Sequence, residues 1–270
     1  METYNNINFD SKNIFSNIKS KYILKKIFNN LEPNKFFKII KHNKNLHNRL
    51  EITENDYKDF LNIEIEIYIN KKPKKNNPLL QHHYYQNYNF INFDNIKKYN
   101  CFYHLYINDG IKESIKKFGT KGDDVKKIRI IIDYNEKFRT FQNLFKDCFL
   151  VEKINFIKFN RTDITDMSYM FDGCFSLEEI NLTNFKTKNV TKMNCMFYLC
   201  NSLEKINISH FNIKNVKDMS WMFTGCYSLE EIILPKLNNC INMSHMFSGC
   251  KNELIKKIKK KYKYIKNDAF

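Results

Sequence analysis

Five cysteines recur at nearly constant spacing in the second half of the chain, and the thiol is the side chain here best suited to bind a metal or form a covalent bond. They are separated by 26, 26, 26 and 24 residues: Cys148, Cys174, Cys200, Cys226 and Cys250. A structural zinc site needs cysteines a few residues apart, with histidines or further cysteines nearby, and Cys195 with Cys200 does not meet this requirement. We therefore expect reduced, buried cysteines that act as small apolar side chains, with disulfides between neighbouring copies as the alternative in an oxidised chain.

The remaining residues offer little catalytic chemistry. The sequence has no glycine-rich phosphate loop, no G-x-S-x-G and no H-E-x-x-H, and it contains only six glycines. His82, His83 and His104 lack the spaced acidic or cysteine partners of a metal site. We predict a protein that is not an enzyme, with no catalytic residue, no metal and no cofactor.

A repeated motif positions the cysteines. The pattern Met-x-x-Met-Phe-x-x-Cys-x-x-Leu begins at Met167, Met193 and Met219, and a copy that ends at its cysteine begins at Met243. A weaker copy lies 26 residues before the first. Periods of this length are typical of arrays in which each unit buries its apolar face against the next. We expect the array to cover residues 141–250.

Two periodicities alternate within each copy. Between Met167 and Leu177 the apolar residues are three or four apart, which predicts a short helix that ends near Gly173. From Leu177 to Phe185 the pattern changes to the every-second-residue period of a strand. Each copy is therefore predicted to contain a strand, a bend and a short helix.

The unit MSYMFDGCFSLEEINLTNFKTKNVTK, with its strand motif LEEINLTNF, resembles the repeat of the BspA-like leucine-rich repeat family, which includes mycoplasma surface lipoproteins. The resemblance covers roughly residues 141–250 and implies adhesion or protein–protein contact, with no catalytic residue. It implies an α+β fold: a leucine-rich-repeat β-solenoid of about 26-residue units. Flanking patterns add a small helical N-terminal module and a C-terminal capping helix.

The N-terminal segment YILKKIFNNLEPNKFFKIIKHNKNLHNRL has helical spacing and resembles an F-box, a short helical module that docks onto a ubiquitin-ligase adaptor. The resemblance implies contact with such an adaptor through Ile23, Leu24, Ile27, Phe28 and Leu31. The alternative interpretation is a small helical cap that makes no adaptor contact.

These patterns divide the chain into four parts. Residues 1–60 are predicted to form the helical module, and residues 61–140 a β-rich connector or N-terminal cap, because LNIEIEIYINKK alternates apolar and polar residues. Residues 141–250 form the repeat array. Residues 251–270 are predicted to form a basic helix that caps the array, since the end of a repeat array needs an element with one polar face.

The net charge of +16 is unevenly distributed, which bears on the class of partner. Residues 141–250 carry 11 basic and 11 acidic side chains, and only four of the 45 basic residues are arginine. Specific nucleic-acid binding is therefore not expected. No apolar run reaches the length of about 18 residues that a membrane span needs, and no signal sequence or lipidation cysteine is evident. We expect an intracellular, cytoplasmic location and no membrane partner.

Two surfaces of the array are candidates for partner binding. If the apolar residues of each predicted strand point inward, the residues between them form an outward sheet face. The sheet face comprises Lys153, Asn155, Glu179, Asn181, Thr183, Lys205, Asn207, Ser209, Glu231 and Ile233. An alternative aromatic face, opposite the predicted helical stripe, comprises Tyr169, Tyr198, Trp221 and Tyr227. Aromatic residues are enriched at interfaces, which is consistent with a binding role for this second surface. The alternative is that these rings fold over the short helix and shield its backbone.

The leading hypothesis is a non-enzymatic scaffold that binds a protein of unknown identity through the repeat array. One alternative is an F-box-like substrate receptor of a ubiquitin ligase, in which the array selects the target. A second alternative is a surface or exported adhesin-like protein.

Overall fold

The chain divides into two units, Met1–Leu61 and Asn62–Phe270. The computed structural model describes residues 44–50, 54–70, 87–89, 91, 98, 102–110, 118–120, 124–237 and 242–270. In the first unit it shows helix α1 (Lys44–Leu50) and helix α2 (Glu54–Leu61). Both helices are too short to be stable from helix propensity alone, so side-chain packing must hold them.

The second unit is built around a mixed sheet of five strands. The described strands are β1 (Ile63–Ile69), β2 (Asn87–Asn89), β3 (Tyr103–Ile107), β4 (Phe118–Thr120), β5 (Lys127–Ile132), β6 (Val151–Lys158), β7 (Glu179–Asn181), β8 (Lys205–Asn207) and β9 (Glu231–Ile233). The order across the five-stranded sheet is β3-β5-β1-β6-β7, in which only β6 and β7 are parallel. Strands β2 and β4 form an antiparallel pair, and β8 and β9 form a parallel pair.

The alternating sequence of β1, Ile-Glu-Ile-Glu-Ile-Tyr-Ile, explains its place inside the large sheet. All four isoleucines are buried and the residues between them are half-buried. Ile65 lies opposite Ile130 of β5 on one side and Phe156 of β6 on the other. Because side chains alternate across a strand, this register gathers the apolar side chains on one face and leaves the second face polar.

Between positions 140 and 250, the described residues form a series of stacked repeats, here called the repeat stack. Single parallel bridges join Thr140, Asp166, Lys192, Asp218 and Asn242 in turn. In each of the first four repeats, a phenylalanine N–H donates to a methionine carbonyl of the next repeat at 2.8–2.9 Å. Each repeat therefore satisfies backbone groups of its neighbour, which is why a single copy could not be stable alone.

The fold class predicted from the sequence, an α+β leucine-rich-repeat β-solenoid, is wrong. Within the described residues no single sheet runs through the repeats: β7 is the last strand of the five-stranded sheet, and β8 and β9 form a separate pair. Strands dominate and helices are few. The physical reason is that β7, β8 and β9 have only three residues each. The longer strands β1, β3 and β5 come from outside the repeats and extend the sheet through β6 instead.

The short helix predicted in each repeat is replaced by consecutive turns. The backbone φ angle is positive, between 54° and 59°, at Tyr169, Cys195, Trp221 and His245. A left-handed residue interrupts a right-handed helix, so the N–H groups of these segments bond to the next repeat instead. Four residues later the φ angle is positive again, as at Gly225 (74°), where a Cβ would lie 2.5 Å from Cδ2 of a leucine in the preceding repeat. Turns of this length place apolar residues three and four positions apart. A helix produces the same spacing, so the sequence pattern does not distinguish the two.

A column of stacked phenylalanine rings fills the core of the repeat stack. Neighbouring ring centroids are 5.2–5.9 Å apart along the series Phe145, Phe171, Phe197, Phe223, Phe247 and Phe270. The first five rings are fully buried. Rings in offset contact at this separation add attraction to the burial of their apolar area.

The C-terminal residues occupy the place of a further repeat. Helix α3 (Asn252–Lys261) is followed by a 3-10 turn at Asn267–Ala269. The Phe247 N–H donates to the Ala269 carbonyl at 2.7 Å, and Ala269 is fully buried. Because Phe270 also stacks on Phe247, both the hydrogen-bond pattern and the phenylalanine column continue into this tail.

The five regularly spaced cysteines form a second buried column, as predicted, and all are free thiols. The Cys200 thiol lies 3.2 Å from the carbonyl of Phe171 in the preceding repeat and donates to it. Cys174, Cys226 and Cys250 make the same contact at 3.1–3.3 Å. Burial raises the pKa of every thiol in the column, to about 12 for Cys250, so these side chains stay neutral.

Replacing one ring of the phenylalanine column tests its contribution to stability. We expect Phe197→Ala to lower the free energy of unfolding by about 3–5 kcal/mol, because it opens a cavity between two stacked rings. The matched control is Phe102→Ala, since Phe102 is 76 % exposed; it should change stability by less than about 0.5 kcal/mol. Urea unfolding followed by circular dichroism measures both, and equal losses would show that the column is not the core.

The cysteine column should make stability depend on alkaline pH. The pKa of Cys200 in the folded chain is well above its ordinary value of 9.0, so above pH 9 the unfolded thiol loses its proton and the folded thiol keeps it. Stability is then lost as the pH rises, by up to about 1.4 kcal/mol per pH unit for one thiol. Cys200→Val should make the decline between pH 9 and 10.5 shallower by about this amount. Val190→Ala, which removes no thiol, should shift the curve without changing its slope. An unchanged slope for Cys200→Val would contradict the assignment.

Candidate functional site

The residues predicted for the sheet face lie at the surface on β6 to β9 and in the turns that follow β7 and β8. Lys153 and Asn155 are on β6, Glu179 and Asn181 on β7, Lys205 and Asn207 on β8, Glu231 and Ile233 on β9, and Thr183 and Ser209 in the turns. Lys153, Asn155 and Ile233 are half-buried, and the other seven are exposed. Ile206 and Ile232, between them in sequence, are buried. The alternation of each strand therefore positions these side chains outward.

Ion pairs connect this face within each strand pair. Lys153 Nζ lies 2.8 Å from Glu179 Oε2 across β6 and β7. Lys205 Nζ lies 3.8 Å from Glu231 Oε2 across β8 and β9. The hydrogen bond to Glu179 raises the pKa of Lys153. Lysine and glutamate thus alternate from strand to strand, and the structure brings them together in pairs.

The polar face continues across strands that the sequence argument did not assign to it. Lys127 Nζ of β5 lies 2.8 Å from Glu66 Oε1 of β1, and Arg129 lies 3.4 Å from Glu64. The Arg129 guanidinium also lies 4.5 Å from the ring centroid of Tyr106 on β3. The signal that could have found this extension is the alternation of glutamate with isoleucine in β1. Its partners on β5 are more than 60 residues away, so local pattern does not identify them.

Two of the predicted residues have a structural role in the turns. The Asn181 side-chain oxygen accepts hydrogen bonds from the N–H and hydroxyl of Thr183, at 3.1 and 2.8 Å. Asn207 does the same with Ser209, at 3.0 and 2.7 Å. Asparagine commonly holds turns in this way. These two side chains therefore shape the face in addition to being exposed on it.

A first depression, the interstrand cleft, separates β7 from β8 and has a volume of about 230 Å³. It is lined by Ile180, Asn181, Leu182, Thr183, Lys205, Ile206, Asn207, His210, Glu231 and Ile233. His210 Nε2 donates to the Leu182 carbonyl at 2.9 Å and so links the two repeats. Six of the ten predicted sheet-face residues meet in this cleft.

A second depression, the helix groove, lies between β9 and α3 and has a volume of about 370 Å³. It is lined by Lys205, Glu230, Glu231, Ile232, Ile233, Leu254, Lys257, Ile258, Lys261 and Tyr262. Glu230 pairs with Lys251 at 2.6 Å, which lowers the pKa of the Glu230 carboxyl. Lys205, Glu231 and Ile233 belong to both depressions and form the ridge between them.

The alternative aromatic face is only partly exposed. Trp221 is 39 % and Tyr227 56 % exposed, whereas Tyr169 and Tyr198 are half-buried. The Trp221 ring lies 4.3 Å from the His245 ring of the next repeat, centroid to centroid. The structure therefore places these rings at the turn tips, where the Trp221 and His245 rings partly cover each other. They do not line either depression.

Other predicted features lie partly outside the described residues. The proposed F-box contacts Ile23, Leu24, Ile27, Phe28 and Leu31 are outside the described ranges, as are His82 and His83. Over the described residues, no group of three metal-ligating side chains is close enough to hold a metal ion. Nor is any helix in the described ranges long and apolar enough to cross a membrane.

The comparisons with known proteins concern the repeats. No curated protein and no solved structure matches the chain. Residues 139–260 match the model of a family described as Mycoplasma protein of unknown function, DUF285. The match covers the repeat stack and nearly all of α3, and does not extend to the F-box-like segment. The repeat region of this chain is thus similar to a mycoplasma protein family.

Proposed function

We propose that this chain is a non-enzymatic protein-binding module that engages its partner through the face formed by β7, β8 and β9. The observation that carries the proposal is the convergence of six predicted sheet-face residues on the interstrand cleft. Three of them, Lys205, Glu231 and Ile233, also line the helix groove. The two depressions therefore form one continuous surface with a shared ridge.

The chemistry of this surface suits a protein better than a small molecule. Charged pairs such as Lys205 with Glu231 stand beside apolar residues such as Ile233, the mixture found across protein interfaces. The depressions measure about 230 and 370 Å³, and each is at or below the low end of the roughly 300–1,000 Å³ range of small-molecule pockets. A partner that fills both must itself present an extended surface.

The similarity to a mycoplasma family supports the BspA-like resemblance as the finer interpretation of residues 139–260. A protein-binding role agrees with that resemblance. An adhesin-like protein at a cell surface and a ubiquitin-ligase receptor in the cytoplasm both remain predictions, and no observation favours either.

Site-specific photo-cross-linking tests the proposed face. A photoreactive amino acid placed at Thr183 or Ser209 should capture the same protein in the native cell, because both positions are exposed on the turns that border the interstrand cleft. The matched controls are Lys188 and Lys214, which are exposed, 26 residues apart like the test pair, and absent from both depressions. Capture should be lost when unlabelled chain is added in excess. Equal capture of that protein from the control positions would place binding elsewhere.

A further inference from the structure

In the part of the chain that the structure describes, no strand covers the outer edge of β9. The Glu231 N–H donates to the Glu204 carbonyl at 3.2 Å, and the Ile233 carbonyl accepts from the Ile208 N–H at 2.9 Å. Because backbone groups alternate in direction along a strand, the N–H and carbonyl of Ile232 face away from β8. Within the described residues β9 pairs with β8 alone, and Ile232 lines the helix groove on its other side. A strand edge with no strand beside it is a template for an added strand.

Two lysines of α3 face the same groove. Lys257 and Lys261 are four residues apart on α3, so they lie on one face of the helix. The two groove glutamates are paired with other lysines: Glu230 with Lys251 at 2.6 Å and Glu231 with Lys205 at 3.8 Å. Among the described residues, no carboxylate lies within 4.0 Å of Lys257 or Lys261. The groove therefore presents excess positive charge on the side opposite β9.

The floor of the groove is apolar and its wall is fixed. Leu254 and Ile258 of α3 are each 2 % exposed and pack into the core. The Leu234 N–H donates to the Tyr262 hydroxyl at 3.1 Å, which joins the end of α3 to the segment after β9. A groove held in this way is formed before a ligand arrives, so binding does not have to order it.

We propose that the helix groove binds an extended acidic segment of a protein partner. The segment pairs with the free edge of β9 at Ile232, its apolar side chains contact the groove floor, and its carboxylates bond to Lys257 and Lys261. This inference rests on the proposed protein-binding function and adds to it the chemical class and the conformation of what is bound.

The shape and charge of the groove favour a peptide over the other anionic partners. Of these partners, a peptide strand is the one whose N–H and carbonyl groups have the regular spacing of the β9 edge. A membrane is too flat to enter a depression of about 370 Å³. An anionic lipid surface and RNA are therefore outcomes to be tested against the peptide.

Charge reversal within α3 provides a matched test with the full chain. The probe is a fluorescent peptide of alternating aspartate and valine, with binding followed by anisotropy. Lys257→Glu with Lys261→Glu should weaken binding at least about tenfold, because both carboxylate contacts become repulsive. Lys256→Glu with Lys260→Glu makes the same charge change at the same spacing, on exposed positions that do not line the groove. This control should weaken binding less than about threefold, as expected for exposed charges.

Three results would overturn the inference. Absence of saturable binding by the peptide would exclude the groove as an acidic-peptide site. Equal losses for the two double variants would indicate general attraction to a basic helix. The third result is tighter binding to vesicles of equal parts phosphatidylserine and phosphatidylcholine, or to single-stranded RNA, than to the peptide. If both double variants weakened that binding equally, α3 would be assigned to those partners.

The backbone contact is tested without altering the chain. A version of the peptide N-methylated at alternate residues cannot donate along one edge, so it should bind far more weakly, whereas methylation on the opposite edge should be tolerated. If both methylated peptides bind like the parent, strand addition at β9 is wrong. Failure of these tests while Thr183 and Ser209 still capture a partner would reject only the groove; failure of both would reject the proposed function as well.

Discussion

The hydrogen bonds between successive repeats are the constraint on which the rest of the structure depends. They connect residues 25 or 26 positions apart over most of the repeat stack, and every buried column follows the same register. A register error of one residue would place each phenylalanine against a methionine in one direction and against residues such as Asp172 or Thr224 in the other. The backbone bonds and the side-chain columns therefore select the same alignment, and each makes the other more specific.

This register is made possible by turns that contain left-handed residues. Each left-handed residue other than glycine costs roughly 1–2 kcal/mol of backbone strain, yet Tyr169 and Trp221 occupy equivalent left-handed positions. Hydrogen bonds offset this strain, because the turned backbone directs the Tyr169 and Trp221 N–H groups to carbonyls of the next repeat at 3.0 Å. The same geometry places the side chains of these residues at the turn tips, away from both depressions.

Sequence pattern identified what depends on local repetition and missed what depends on long-range pairing. The repeat period, the buried cysteines and the outward position of residues such as Lys205 follow from spacing alone. The helical interpretation failed because consecutive turns and a helix both place apolar residues three and four apart. The solenoid interpretation failed because Ile65 of β1 pairs with Phe156 of β6, 91 positions later, in a sheet that no repeat specifies. The helix groove was missed for a related reason: its two walls come from different elements.

The end of the stack differs from its middle at two positions of the repeated pattern. Asn181 and Asn207 use their side-chain oxygens to hold the N–H two residues later. The equivalent position on β9 is Ile233, which has no such acceptor, and two residues later stands Pro235, which has no N–H to satisfy. The Ile208 N–H donates to Ile233 of the next strand, whereas its counterpart, the Leu234 N–H, donates to the Tyr262 hydroxyl and ties α3 to the strand. Tyr262, at the end of α3, thus accepts the hydrogen bond that a next strand would accept, and the docked helix makes a groove of the strand's free edge.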